Sequence, residues 1–542
     1  MAQEDLAVTL LRRLGTLKGA RSPHEDTWRD CYDHSYPIRG QGFYGETEDI
    51  NSVQNKRARL YDATSTDASN TLSSGIQSGM TPANSQWFGL QTWNQSDDEK
   101  KWFSDSATKL WEAIHASNFD AVSLECCQDI TAAGWFVLFI DEAKNDDGSV
   151  DGLHFQQFPI SECYLAASKP GGRCDTLFRP YCLTVEQTVQ EFGLANISAK
   201  VRDLYQDEKY DEKVELLHAV YPRRLSAVGS RRAKNMPFAS VHVECTEKIV
   251  VRESGYQEQP FVAPRWSLIP KSVYAIGPMF DALPDTKTLN YLVKMEEAGV
   301  DIAVAGMWIA EDDGVLNPRT VKVGPRKIIV ANSVDSMKPL TTGANFQVSF
   351  SKKEQLQAAI RKTLMADQLQ PQDGPAMTAT EVNVRVGLIR QLLGPRYGRL
   401  QAEYLQVLIE RCFGLALRGG LFAPMPESLL NRSFHIVYQS PMAKAQKLEE
   451  VNAIETTLVA AGQLAAAQGS PDAWDNFDVD GSLAEIADGR GMPARLVRSP
   501  EDVAKIRKQR ADTQQAAQEQ AQQQQLTQVA GEAAVSRIAE AA

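Results

Sequence analysis

Along the first ~120 positions apolar residues return at helical intervals. Leu6, Leu10, Leu11, Leu14 and Leu17 form one stripe, and the spacing predicts a helix there. Further helices are predicted over 57–80 and over 105–119, where Leu110, Trp111 and Ile114 supply the apolar positions. From 134 the period shortens. WFVLFIDEAKNDDGSVDGLHFQQFP holds two apolar or alternating runs around Asn145-Asp146-Asp147-Gly148, a hairpin signal. Strand-like runs continue through KVELLHAVYPRR and MPFASVHVECTEKIVVRESGY, so a β-containing body is expected from about 120 to 270. Val241, Val243 and Cys245 alternate with polar neighbours, which predicts that His242 and Glu244 face solvent.

The helical period returns over 278–301 and again over 351–368. Between them, 302–350 holds a turn at Glu311-Asp312-Asp313-Gly314 and short strand candidates at 321–323 and 327–330. Two helices of similar length therefore carry a small β unit at their tip. After a short connection, 369–377, helix-compatible residues run over 378–418, roughly 60 Å if straight. Thr378 and Glu381 form a capping box at its start. Gly394-Pro395 then interrupts it. Pro395 removes one backbone hydrogen bond and its ring meets the carbonyl of Gln391, so a bend is predicted. A bent helix of that length suits a subunit that leans on neighbours better than one closed globule.

The C-terminal third has a strand-like SFHIVYQS, a helix over 442–468 and a Gln- and Ala-rich tail. Ser499-Pro500-Glu501-Asp502 is a strong helix start, and no Gly or Pro follows until Gly531. Such a polar helix has no core of its own, so its order is expected to depend on assembly.

At 542 residues the chain is too long for one ordinary core. A net charge of −12 argues against a protein that grips nucleic acid with a basic face, though DNA could pass through a channel that must not hold it. The most apolar run, AAGWFVLFI, has the length of a strand rather than of a membrane span, and the N-terminus lacks the pattern of a signal peptide. Eight cysteines without framework spacing fit reduced thiols.

The chemical motifs are weak. His242-Val243-Glu244 matches half of a zinc deaminase signature, but the P-C-x-x-C half is missing. No H-E-x-x-H, phosphate-binding G-x-x-x-x-G-K-[ST] or G-x-S-x-G is present. Gly171-Gly172 reads as a turn, and the acid pairs Asp146-Asp147 and Asp312-Asp313 sit beside turn glycines. No catalytic residue, metal site or cofactor is expected, and the chain is not expected to be an enzyme.

A set of short strings nevertheless recurs in a telling order: Trp28, Tyr36-Pro37, Arg39, Leu60-Tyr61-Asp62-Ala63-Thr64, Gly79-Met80-Thr81-Pro82 and Trp87-Phe88-Gly89-Leu90. Pro264-Arg265-Trp266, Tyr274 and Gly277-Pro278 follow, then Met377-Thr378-Ala379-Thr380-Glu381-Val382, Arg385, Leu393-Gly394-Pro395, Arg399-Leu400 and Glu403. In this the chain resembles the head-to-tail connecting (portal) proteins of short-tailed, T7-like bacteriophages, over nearly its whole length. Ala275-Ile276, inserted between Tyr274 and Gly277, departs from that pattern and puts one local loop in doubt.

The resemblance implies an α+β, mainly helical portal fold assembled as a twelve-subunit ring at one capsid vertex, with double-stranded DNA passing through its centre. It divides the chain into a wing (1–277), a first stem helix (278–301), a clip (302–350), a second stem helix (351–368), a tunnel loop (369–377), a long kinked helix (378–418), a crown (419–499) and a C-terminal helical barrel or tail (500–542). Implied partners are a terminase and then a tail adaptor at the clip, the major capsid and scaffolding proteins, and internal core proteins, with no membrane. The implied place is the virion, after assembly in the host cytoplasm. Lys287 and Lys294, seven positions apart on one helix face, would then make two cationic bands in the tunnel. Gln370, Gln372 and Asp373 would face DNA from the tunnel loop. The alternatives are another ring-forming virion protein, such as an adaptor or tail tube, and a nucleic-acid enzyme.

Overall fold

The apolar stripe at the N-terminus belongs to a single 34-residue helix, Ala2–Ser35, which continues through Pro23. In the computed structural model the described residues are 2–44, 50–92, 96–144, 150–227, 229, 232–305, 308–310, 337–339, 346–369, 394, 396–429, 435–438, 441–468, 474, 476–490, 492, 498 and 502–515. The architecture is α+β and mainly helical. The chain divides into two compact units, Met1–Trp87 with Lys109–Phe422, and Phe88–Thr108 with Ala423–Ala542.

In the larger unit, Ala7, Leu10 and Leu14 pack against Phe178, Leu217, Ala219 and Val241 of a five-stranded antiparallel sheet. Its strands lie in the order Tyr164–Ala166, Thr176–Thr184, Lys213–Pro222, Phe238–Glu244, Ile249–Tyr256. The opposite face is also covered. Val214, Leu216 and Val251 meet Val185, Phe192 and Val201 from the helices Val185–Phe192 and Ala199–Gln206.

This double cover corrects the sequence expectation for His242 and Glu244, which are both buried rather than solvent-facing. Strand alternation sorts residues to two faces, but it marks a wet face only where nothing packs on that side. His242 pairs across the ladder with His218, their rings stacked at 4.1 Å. Tyr181 Oη lies 3.0 Å from His242 Nδ1, and Ser240 Oγ 2.9 Å from His218 Nε2. Glu244 accepts from Ser198 Oγ at 2.8 Å, and Ser198 in turn accepts from the Val201 N–H to cap its helix.

A second, three-stranded sheet joins Val150–Phe158, Val137–Lys144 and Phe261–Val262. Beneath it Trp28, Trp135 and Tyr274 meet in edge-on and tilted pairs with centroids 5.3 to 5.5 Å apart. Trp28 Nε1 donates to the Ala275 carbonyl at 3.1 Å. Two chain segments touch here without side chains between them. A Cβ on Gly277 would stand 2.6 Å from the Thr131 carbonyl oxygen and 2.8 Å from the Gly134 nitrogen, so glycine is required.

The helix expected over 57–80 is two helices, Ile50–Arg57 and Thr64–Met80. Asp62 explains the second start. Its Oδ1 accepts from the Thr64 N–H at 2.8 Å, a side-chain bond that competes with helical pairing. Residues 60–63 are left as a non-helical shelf.

In the smaller unit Phe88–Gln91 pairs antiparallel with His435–Tyr438, and Trp102 Nε1 donates to the Ala423 carbonyl at 3.0 Å. Helices Pro441–Gln468 and Val479–Gly489 pack together, with Arg490 bound to Glu455 at 2.6 Å. Residues 502–515 form a further helix, whose Arg507 clasps Asp480 with two bonds of 2.5 and 2.7 Å. Only Val451 and Ala461 are buried among the described side chains of these three helices.

Candidate functional site

The larger unit carries a pair of long helices. Pro278–Ala305 runs out, and Phe346–Thr363 runs back along it. Between them, Trp308–Ala310 pairs antiparallel with Met337–Pro339. Most of 302–350 lies outside the described residues.

The outgoing helix buries Met279, Ala282, Leu283, Thr286, Leu289 and Val293 at intervals of three and four, a single inward stripe. The returning helix buries Leu356 and Ile360. Glu296 fastens the two by accepting from Ser349 Oγ and pairing with Lys353 at 3.6 Å.

The shelf at 59–62 anchors both helices. Asn290 donates through Nδ2 to the Arg59 carbonyl at 2.8 Å and accepts the Tyr61 N–H at 2.6 Å. Gln357 Nε2 donates to Asp62 Oδ2 at 2.9 Å. The non-helical segment that broke the expected helix is therefore the socket for the pair.

Lys287 and Lys294 both stand on the exposed side of the outgoing helix, but neither is simply solvated. Lys287 Nζ pairs with Asp30 Oδ2 at 2.7 Å, both half-exposed. Lys294 Nζ lies 5.9 Å from the Tyr61 ring centre. Nothing in the sequence pattern pointed to Asp30, which lies 257 positions away. Beside these cations the pair leaves large apolar groups uncovered: Tyr291, Met295, Val300 and, on the returning helix, Phe350.

Gln370, Gln372, Asp373, Thr378, Glu381 and Pro395 lie outside the described residues. Gly394 has φ +48°, a left-handed conformation that strains other residues and that a continuous right-handed helix does not contain. After it come helical residues 396–400, a widened π turn at Gln401–Leu405 and the helix Gln406–Arg418.

The π turn buries Tyr404 and Leu405 and turns Glu403 inward. Glu403 takes a forked pair of bonds from Arg265, 3.0 Å from Nε and 2.6 Å from Nη2. Tyr404, buried, stands 3.2 Å from Ser123 Oγ. Arg399 donates to the Trp266 carbonyl at 3.1 Å, and Arg396 lies over the Trp266 ring. Arg39 makes a second forked pair with Asp129 at 2.8 and 3.0 Å. Burial opposes the charge on Arg39, but Asp129 outweighs it and holds the guanidinium pKa above its ordinary value.

Many residues scattered through the sequence strings thus meet in one scaffold: Trp28, Arg39, Arg265, Trp266, Tyr274, Gly277, Arg399 and Glu403. They lock one another and present no open reactive group. Burial pushes the thiols of Cys127, Cys163 and Cys412 up to about 12, far from a nucleophilic thiolate. Among the described residues no group of three His, Cys, Asp or Glu side chains could hold a metal ion. No described helix is long and apolar enough to cross a membrane.

Comparison with known proteins gives one family. The model described as "Bacteriophage head to tail connecting protein" matches residues 7–497. The chain is 30% identical over 527 residues to the "Portal protein" of Salmonella phage epsilon15, covering 94% of this chain and 92% of that protein. It is 28% identical over 541 residues to the "Probable portal protein" of Bordetella phage BPP-1, covering 96% and 94%. Among solved structures, a chain of the neck of an empty GTA particle aligns at 14% identity with a TM-score of 0.33, covering 70% of this chain and 85% of that chain.

Proposed function

Since the chain belongs to the family of bacteriophage head to tail connecting proteins, we propose that it is a portal, a ring of twelve copies at one capsid vertex through which DNA enters and leaves. The observation that carries this reading beyond the family is the helix pair. One chain buries only its inner stripe and leaves Tyr291, Met295, Val300 and Phe350 in water. Neighbouring copies would cover them, as expected of a subunit whose long helices cannot be buried alone.

In this reading 278–301 and 351–368 are the stem, and 302–350 is the clip on which a terminase and later a tail adaptor dock. The chain does no bond chemistry. Its tunnel wall must touch DNA weakly, because each tightly neutralised phosphate would brake movement. Lys287 and Lys294 are the proposed cations of that wall. Asp30 neutralises Lys287, so Lys294 would carry the stronger band. Gln370, Gln372 and Asp373 are proposed as the polar loop at its narrowest part, and Gly394-Pro395 as the bend that turns the next helix away.

Lys294→Glu in assembled procapsids tests the wall. Ring assembly should be unchanged while packaging slows or retention of packaged DNA alters. Packaging identical to wild type across a range of salt would place Lys294 off the tunnel.

A further inference from the structure

Near its C-terminal end the helix Ala2–Ser35 carries a row of carboxylates, Asp26, Asp30 and Asp33, spaced by four and three and so on one side. Each holds a cation. Asp26 pairs with Arg29 at 3.1 Å, Asp33 with Lys56 at 3.1 Å and Asp30 with Lys287 at 2.7 Å. Of these three cations only Lys287 comes from the outgoing helix Pro278–Ala305. With Asp26 and Asp33 already taken, the row offers Lys287 no second carboxylate. Asp281 and Asp285 on its own helix are six and two positions away, off its face.

Both backbones are fixed at this contact. Trp28, Cys31 and Tyr32 flank Asp30 and are buried, as are Ala282, Leu283 and Thr286 just before Lys287. Asn290, three positions after Lys287, grips the backbone at Arg59 and Tyr61 with both ends of its amide. What remains free to turn are the two charged side chains, 46% exposed for Lys287 and 49% for Asp30. An ion pair this open is weak, because water and salt compete for both partners. A phosphate can therefore take the place of Asp30 by rotation of the lysine side chain alone, with no shift of either helix. Lys294, seven positions on, has a second resting place of its own over the Tyr61 ring.

Resting on the channel reading above, we infer that Asp30 sets how hard the wall grips DNA, by holding Lys287 between phosphate contacts and yielding it to each passing phosphate. Asp30 is a positioning residue and need not touch DNA. A lysine with no other partner gains the whole of each phosphate contact, counterion release included, and so holds the duplex in place. With a carboxylate in reach, the gain is reduced by the ion pair that the phosphate replaces, and the departing lysine has a partner to return to. The reduction in one copy is small, but a ring repeats it in every subunit. A pair that only fastened two helices would leave DNA affinity untouched.

The test measures binding of a short fluorescent DNA duplex to isolated rings by anisotropy, with thermal melting to verify folding. Asp30→Asn should tighten binding at least about threefold at about 0.1 M salt and steepen its salt dependence. Asp30→Ser carries the same expectation and is read in its place if the Asn variant does not fold. Lys287→Gln should weaken binding. Asp30→Asn with Lys287→Gln should bind like Lys287→Gln alone, because no lysine is left to free. Asp30→Glu, which keeps the pair, should stay within about twofold of wild type. A gain that persists without Lys287 would come from the lost negative charge alone and overturns the inference. So does unchanged affinity in Asp30→Asn, or failure of both the Asn and Ser variants to form rings, and each leaves the ring reading standing. Wild-type protein that forms no ring, or rings that bind no duplex even at about 0.02 M salt, removes the channel reading and this inference together.

Discussion

The core around the two sheets of the larger unit and the outgoing helix pair treat charge and apolar surface in opposite ways. Around the two small sheets each buried ion is met by its partner within the chain: Arg39 by Asp129, Arg265 by Glu403, and Arg21 by Glu25 and the Ile160 and Cys163 carbonyls. Trp28, Trp135, Trp266 and Tyr274 there are 1% exposed or less. On the helix pair, Tyr291 is 65% and Phe350 58% exposed. One region is finished as a single chain; the other is left open, as the proposed ring would require. The helices of the smaller unit, with two described buried side chains, fall on the second side.

This contrast breaks first at its most closed point. Glu403→Ala leaves Arg265 buried and unpaired, which should remove about 3–5 kcal/mol from unfolding stability in denaturant titration. A loss under ~1 kcal/mol would mean that water already reaches the pair. Gly277→Ala forces a Cβ against two backbone atoms that cannot give way and should cost about 1–3 kcal/mol.

Acid should act on the same region through the stacked histidines. Burial, with Arg179 and Arg252 nearby, lowers His218 to about 3, and burial and His218 itself lower His242 well below its ordinary value. Both stay neutral in the fold while the unfolded chain takes up protons below about pH 6.5. Their contribution is therefore present above that pH and lost as pH falls toward the folded value. The slope approaches a limit of about 1.4 kcal/mol per pH unit for each histidine. His218→Asn should flatten the midpoint-against-pH curve between pH 6 and 4; an unchanged slope would assign the acid sensitivity elsewhere. The smallest folding effect should come from the open region. Tyr291→Ser should leave monomer stability within about 0.5 kcal/mol while raising the concentration needed for assembly. A large loss in the monomer would show that Tyr291 packs within its own chain.

The helix pair was legible because its buried residues keep one period over about four turns, and Leu289 and Val293 need no distant partner to announce a face. The hairpin was legible for the same local reason: its turn signal at 145–148 lies outside the described residues, but the flanks Val137–Lys144 and Val150–Phe158 do pair. His242 was misread because alternation reports two faces but not what covers each. The break at Asp62 was missed because a side chain accepting from a backbone N–H two residues on leaves no mark on hydrophobic spacing. The Arg265–Glu403 and Lys287–Asp30 pairs join residues 138 and 257 positions apart, and nothing local in a single sequence couples them. Motif order supplied the family, whereas the socket for the helix pair came only from the fold.

Cryo-electron microscopy of the purified full-length protein tests the ring most directly. The account predicts a closed ring, twelvefold, with Pro278–Ala305 of every copy around a central hole and Tyr291 against a neighbouring subunit. Particles that stay near 60 kDa, or a ring whose hole is lined by the five-stranded sheet instead, would contradict it.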